Sequence, residues 1–248
     1  MSQKKKRKKT APARRTGGEA EKRETNAKKT LQTKQILLIV AAGLLVAGAV
    51  LALCLILGRR DATPPSEGAS AAVTEYDSAG HTLRYAEITV KDYGVISIML
   101  DETVAPLTVA NFISLAESGF YDGLTFHRVY EGFMIQGGDP EANGMGGPGY
   151  TITGEFSANG FDNDLPHLRG VLSMARASGY DTAGSQFFIM QEKAAYLDGK
   201  YAAFGWVTAG MSVVDAICEK TPVTDSYGTV EKAKQPVITS VRILPYLP

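Results

Sequence analysis

Ile36 to Leu57 constrains this chain more than any other stretch: 22 consecutive residues carry no charged side chain. As a helix rising about 1.5 Å per residue, it reaches about 33 Å, enough for a hydrocarbon core of roughly 30 Å. A helix of a water-soluble domain keeps a polar face, and this one has none. The stretch therefore predicts a single membrane anchor over 36–57 and divides everything else into two sides.

The charges divide the same way. Residues 1–35 carry 13 Lys/Arg against 3 Asp/Glu, whereas the other 213 residues hold 13 basic and 23 acidic groups. The formal net charge of zero thus averages a basic tail and an acidic body. The tail has almost no apolar residue before Leu31 and is expected to be disordered, because it cannot offset its ordering entropy. Dense positive charge before the span, against only Arg59-Arg60 after it, predicts a cytoplasmic N-terminus and a body outside the cytoplasm, single-pass in the cell membrane. Two alternatives stand beside an uncleaved anchor. Signal-peptide cleavage wants a shorter apolar region and a small-x-small site. Lipidation at Cys54 is suggested by Leu51-Ala52-Leu53-Cys54, although Leu53 sits where a small residue belongs. A Lys/Arg run also suits nucleic acid, but the adjoining span turns the expectation to no nucleic-acid partner.

Residues 58–82, rich in Pro, Ser, Gly and Ala, read as a flexible linker, and 83–248 as the folded domain. The domain is mostly β. Tyr85 to Val90 and Val95 to Leu100 flank a turn at Asp92-Tyr93-Gly94, and further strands are expected at 150–153, 170–175, 186–190, 203–207 and 237–243. One helix runs from Pro106 to Gly119 with Val109, Phe112, Ile113 and Ala116 inward; a second covers Ser212 to Lys220 with Val213, Val214, Ala216 and Ile217 as its buried set. Many short strands with two lone helices predict a barrel or sandwich with helical covers.

Phe126-His127-Arg128-Val129-Tyr130 and Phe133-Met134-Ile135-Gln136 read as a hairpin around Glu131-Gly132, ended by Gly137-Gly138. Strict alternation would put Arg128 on one face with Phe126 and Tyr130. Elsewhere the chemistry is sparse. Of three histidines, His81 falls in the linker; Cys54 lies in the apolar span and Cys218 in a helix, so no disulfide and no zinc ligand set is expected. Ser185 lacks the glycine two residues later that a nucleophile elbow requires. The literal G-x-G-x-x-G within Asn143 to Gly149 contains Pro148 and precedes no helix, so it reads as a loop and not a nucleotide site. No cofactor is expected.

Three long motifs then speak together. Phe126-His127-Arg128 with Gly132-Phe133-Met134-Ile135-Gln136-Gly137-Gly138-Asp139, Leu172 to Ala177 followed by Thr182 to Ile189, and Leu197 to Gly205 resemble, in order, the core motifs of the cyclophilins, the peptidyl-prolyl isomerases. Gly154 to Gly160 and Leu165 to Gly170 resemble the bacterial members. The resemblance covers about residues 84–244 and implies a closed eight-stranded antiparallel barrel capped by two helices. It implies that Arg128 is the catalytic arginine and that Phe133, Met134, Phe188 and Leu197 hold the proline ring. Gln136 and Gln186 are implied to flank the substrate backbone, and Ala175-Arg176-Ala177 to pair with it. Arg176 replaces a common asparagine and brings a positive charge to the groove; Tyr201 stands where some members have histidine. Tyr196 replaces the tryptophan of many eukaryotic members, which implies weak cyclosporin binding. The implied partners are proline-containing polypeptides, such as unfolded or exported proteins, acted on by a monomer.

Overall fold

The computed structural model describes residues 76–245. The basic tail, the apolar span and the first part of the linker lie outside the described residues, and with them the readings made for anchor, cleavage and Cys54. Among the described residues no helix is long and apolar enough to cross a membrane.

Eight strands form one antiparallel sheet: β1 Leu83–Val90, β2 Gly94–Asp101, β3 Thr125–Tyr130, β4 Met134–Asp139, β5 Val171–Met174, β6 Phe187–Met190, β7 Ala203–Ala209 and β8 Ile238–Leu244. Their order is β3-β4-β6-β5-β7-β2-β1-β8. The edge strands β3 and β8 do not share a ladder. They meet at one isolated bridge, Thr125 to Val237, supported by Gly123 N–H donating to the Ile238 carbonyl at 2.8 Å and Ile238 N–H to the Leu124 carbonyl at 2.7 Å. Pro236, two residues before β8, accepts from Phe126 N–H at 2.9 Å through its carbonyl but has no N–H to donate in return. The expected closed barrel is thus a curled sheet whose edges touch at one corner.

Two helices flank the sheet, α1 Pro106–Glu117 and α2 Met211–Lys220. The residue before α1 is Ala105, which has no side-chain acceptor for the free first-turn N–H groups. Glu155 takes that role from a distant loop, accepting from Leu107 N–H at 2.9 Å and Thr108 N–H at 2.7 Å. Its negative charge suits the helix N-terminus. Phe112 of α1 meets Tyr121, Phe187 and Phe204 at 5.1, 5.5 and 5.4 Å between ring centroids, all four buried, which fastens the helix over the sheet interior.

Several expectations need correction. The linker does not run free to residue 82. Tyr76 packs edge-on against Trp206 at 5.7 Å, and His81 Nδ1 lies 2.7 Å from the buried Asp101 carboxylate, so residues 76–82 belong to the domain. Residues 150–153 form no strand; Ile152 alone makes a bridge, to Ala183. In α2 the buried residues are Val214, Ile217 and Cys218, with Val213 and Ala216 only half-buried. Burial pushes the Cys218 thiol up to about 12. The pair Gly137-Gly138 does not end β4, which continues to Asp139. A Cβ on Gly137 would stand 2.9 Å from the Phe126 ring, so this glycine permits close approach within the sheet.

Candidate active site

Strand register explains how the site assembles. Across β3, β4 and β6, Arg128 pairs with Gln136 and Gln136 with Phe188; on the far side of β6, Phe188 pairs with Ser173 of β5. The adjacent row, Val129, Ile135, Ile189 and Leu172, is buried in the sheet interior. Because successive side chains alternate faces, the first row must stand on the outer face. A β-bulge between Phe126 and Arg128 breaks the alternation within β3. Phe126 therefore does not share a face with Arg128, as expected from the sequence; it turns inward onto Phe187 at 6.1 Å.

On that outer face lies a cavity of about 210 Å³ lined by Arg128, Phe133, Met134, Gln136, Ala175, Arg176, Phe188, Leu197 and Tyr201. One wall is a guanidinium and an amide, and the floor is thioether, aromatic ring and leucine. Leu197 enters from a short 3₁₀ turn, Ala195–Leu197. Tyr196 on the same turn stays outside the cavity, largely exposed, and stacks on Phe133 at 6.1 Å. Ala177 and Gln186 line instead a second, larger cavity of about 460 Å³ beside the first, formed with the glycine-rich loop 144–149. Gln136, Ala175 and Arg176 border both cavities. The Ala175-Arg176-Ala177 segment follows β5 and runs along the cavities, with Ala175 N–H donating to the Gln186 carbonyl at 2.9 Å and Ala177 N–H to Thr182 Oγ1 at 3.0 Å.

Arg128 is held at its inner nitrogen. Nε donates to the Tyr227 carbonyl at 2.7 Å, and Nη1 reaches Gln136 Oε1 at 3.4 Å. Gln136 Nε2 donates to Gln186 Oε1 at 3.0 Å, and Gln186 Nε2 donates to the Gly146 carbonyl at 2.8 Å. Among the described residues Nη2 of Arg128 has no acceptor, so the outer part of the fork remains available to a ligand. The Phe133 ring lies 6.0 Å from the guanidinium carbon.

The Tyr227 carbonyl was not anticipated from the sequence. It is presented by a turn in which Asp225 accepts from Tyr227 N–H at 2.9 Å and Thr229 N–H at 3.1 Å. Gly228 has φ of +84°, and a Cβ there would stand 2.3 Å from the Val129 carbonyl oxygen. The pattern Asp225-Ser226-Tyr227-Gly228 is a legible turn signal, but nothing local says which side chain the turn will hold.

A second support lies behind Phe188. The imidazole of His167, 1% exposed, stacks on the Phe188 ring at 6.1 Å and 17°. Its Nδ1 is 2.9 Å from Asp198 Oδ1, and its Nε2 is 3.0 Å from Ser173 Oγ. A carboxylate only accepts, so Nδ1 carries the proton and Nε2 accepts from the serine hydroxyl. Burial lowers the His167 pKa, opposed by the Asp198 carboxylate. This is a Ser-His-Asp chain by connectivity, but Ser173 is fully buried and cannot meet a substrate. Its consequence is to fix the rear of the Phe188 ring. Ser185 is likewise occupied, donating to the Gly138 carbonyl at 2.7 Å.

His127, next to Arg128, faces away from the cavity and is buried, with its pKa lowered by desolvation against the raising effect of Asp139. Burial raises the Asp139 carboxyl in turn, but N–H groups of Glu141, Asn143 and Gly144 outweigh it and hold the pKa below the ordinary carboxylate value. That carboxylate organises the start of the glycine-rich loop beside the second cavity.

The described domain is similar to known proteins. Residues 85–243 match the family described as cyclophilin type peptidyl-prolyl cis-trans isomerase/CLD. A peptidyl-prolyl cis-trans isomerase of Synechococcus elongatus is 54% identical over 112 residues, 45% of this chain and 72% of that protein. Peptidyl-prolyl cis-trans isomerase B of Bacillus subtilis is 52% identical over 122 residues, 49% of this chain and 82% of that protein. A Cryptosporidium parvum cyclophilin type isomerase, crystallised in the presence of the dipeptide Ala-Pro, superposes with a TM-score of 0.57 at 32% identity, covering 65% of this chain and 99% of that one.

Proposed function

The chain belongs to the cyclophilin-type peptidyl-prolyl cis-trans isomerase family and is an enzyme of that activity, and from that premise we propose that the X–Pro bond turns in the 210 Å³ cavity with Arg128 as donor to the twisted amide. The observation that carries this reading is the convergence of one half-free guanidinium with Phe133, Met134, Phe188 and Leu197 on a single small cavity. The Ala-Pro dipeptide in the Cryptosporidium crystals supports proline-containing peptides as its ligands.

Amide resonance sets a barrier of about 18–20 kcal/mol to rotation of the peptide bond, and unaided X–Pro isomerisation takes tens to hundreds of seconds. In the twisted state the proline nitrogen regains a lone pair that a donor can bond. Arg128 suits that task because its charge is permanent and its fork can spend Nε on Tyr227 while keeping outer donors for the substrate. Resonance charge separation also falls on twisting, so the apolar floor favours the twisted amide over the planar one. Reaching milliseconds needs roughly 10⁴-fold, or about 5.5 kcal/mol. One charge-assisted hydrogen bond contributes about 1.5–3 kcal/mol. The remainder falls to Phe133, Met134 and Phe188, which hold the ring, and to Gln136 and the 175–177 segment, which hold the backbone.

The cellular setting in the proposal comes from the apolar stretch Ile36 to Leu57 and the charge asymmetry around it. We read the enzyme as a membrane-anchored monomer facing outward, assisting the folding of exported polypeptides, with weak affinity for cyclosporin because Tyr196 offers no indole. The test is NMR exchange on an Ala-Pro peptide with the full-length chain in detergent. Wild type accelerates the exchange and Arg128→Ala accelerates it about 10²-fold less; an unchanged rate in Arg128→Ala overturns the assignment of the donor. A reporter fused at the C-terminus should be active only outside the cytoplasm, and activity inside it overturns the orientation.

A further inference from the structure

Arg176 borders both cavities, and its guanidinium is bound by the protein's own backbone carbonyls and rings. Nε and Nη2 both donate to the Lys200 carbonyl, at 3.1 and 3.0 Å, while Nη1 donates to the Ala177 carbonyl at 2.9 Å and reaches Ser178 at 3.4 Å. Three aromatic rings surround the same group: the guanidinium carbon is 4.6 Å from the Tyr201 centroid, 5.2 Å from Tyr180 and 5.3 Å from Phe156. Tyr201 then meets Phe188 edge to face at 5.9 Å. The charge expected at the groove is therefore bound into the protein, and the fork is not free to receive a substrate carboxylate.

We propose that Arg176 is a positioning residue for isomerisation. Its fork clamps the segment after β5 to the segment 198–201, and its flat face fixes the Tyr201–Phe188 wall of the proline cavity. The proposal rests on reading that cavity as the site of isomerisation. Two things must coincide for a segment like 175–177 to receive a peptide backbone. Its own carbonyls must be held in place, and the ring wall beside it must not drift. A guanidinium does both at once because it is planar, donates in a fixed fork and stacks on rings. A lysine at the same position keeps the charge but offers neither the fork nor the flat face. An asparagine is too short to reach Lys200.

The discriminating experiment compares Arg176→Lys, Arg176→Gln and Arg128→Ala in the full-length chain, on Ala-Pro tetrapeptides carrying either alanine or glutamate two residues before the proline. Lysine and glutamine variants are both expected to lose about five- to tenfold in kcat/KM, mainly through KM, and by the same factor on either peptide. A lysine variant with wild-type kcat/KM, or a loss confined to the glutamate peptide, shows that charge and not geometry is used and overturns the proposal. No loss in either variant also overturns it, provided Arg128→Ala shows its expected loss; an Arg128→Ala with wild-type kcat/KM indicts the reading of the cavity instead. NMR of the unmodified protein covers the case in which a variant fails to fold. The Arg176 Nε–H resonance should be ring-shifted, slow to exchange with water and displaced on addition of Ala-Pro peptide. A resonance at the free-arginine position, exchanging fast and indifferent to peptide, would sink the clamp.

Discussion

Two arginines stand on opposite walls of one cavity, and they differ in what surrounds the guanidinium. Arg128 meets one backbone carbonyl through Nε, touches Gln136 at 3.4 Å, and keeps Nη2 without an acceptor among the described residues. Arg176 meets three backbone carbonyls and three rings. The same side chain is thus a donor held in reserve on one wall and a structural brace on the other. Residue type does not decide between the two; the number of carbonyls that the fold brings within reach does. Between the walls lies Phe188, supported from one side by Tyr201 and from behind by His167.

The harshest test of this arrangement is Phe188→Ala, which removes the element shared by both walls. Phe188 is 6% exposed, so truncation should lower the unfolding free energy by about 3–4 kcal/mol through lost burial and the space left behind. Isomerisation should fall as well. Urea unfolding of the variant gives the number, and a loss under about 1 kcal/mol would mean that the walls do not depend on a common rigid ring.

Arg128→Ala comes next and separates donor from brace. Loss of one charge-assisted hydrogen bond in the twisted state predicts a fall in kcat/KM of about 10²-fold. Stability should change by less than about 0.5 kcal/mol, because the side chain is partly exposed and not built into the core. Arg128→Lys should be nearly as poor in activity, since an ammonium cannot bond Tyr227 and the substrate from one fixed fork. A lysine variant close to wild type would show that charge alone suffices on this wall.

The contrast also explains what could be read from the chain alone. Arg128, Gln136 and Phe188 were legible through their motifs, whose resemblance to a known family named them before the strand register was known. Phe126 was misread because a bulge hides inside a run that looks perfectly alternating; only pairing with Gly137 reveals it. The outline of the sheet was legible from its turns, but not the way its edges meet, which depends on Pro236 arriving beside Thr125 from far along the chain. The charge of Arg176 was legible and its use was not. Lys200, Phe156 and Tyr180 reach it from separate segments, and no local pattern announces that meeting. For the same reason the Ser173, His167 and Asp198 chain escaped notice, being assembled from a loop, a strand and a turn.

That chain gives the smallest expected effect and the one most particular to the Phe188 side. Burial holds the His167 pKa below its ordinary 6.5, and the same holds for His127. The unfolded chain therefore binds more protons than the folded one as pH drops below about 6.5, so stability declines in that direction. Above that pH the contribution is complete; it is lost progressively as pH falls toward the lowered folded-state values. Protonation at Nε2 also removes the acceptor for Ser173, which should loosen the rear of the Phe188 ring while leaving Tyr227 and Arg128 in place. The urea midpoint should be flat between about pH 7 and 8 and fall below about pH 6, with KM rising in parallel. His167→Gln should reduce the slope between about pH 7 and 5, and His127 is expected to carry a further part of it. A wild-type midpoint that holds level down to about pH 5 would show that neither imidazole is kept neutral by burial, and the support assigned to the Phe188 wall would have to lie elsewhere.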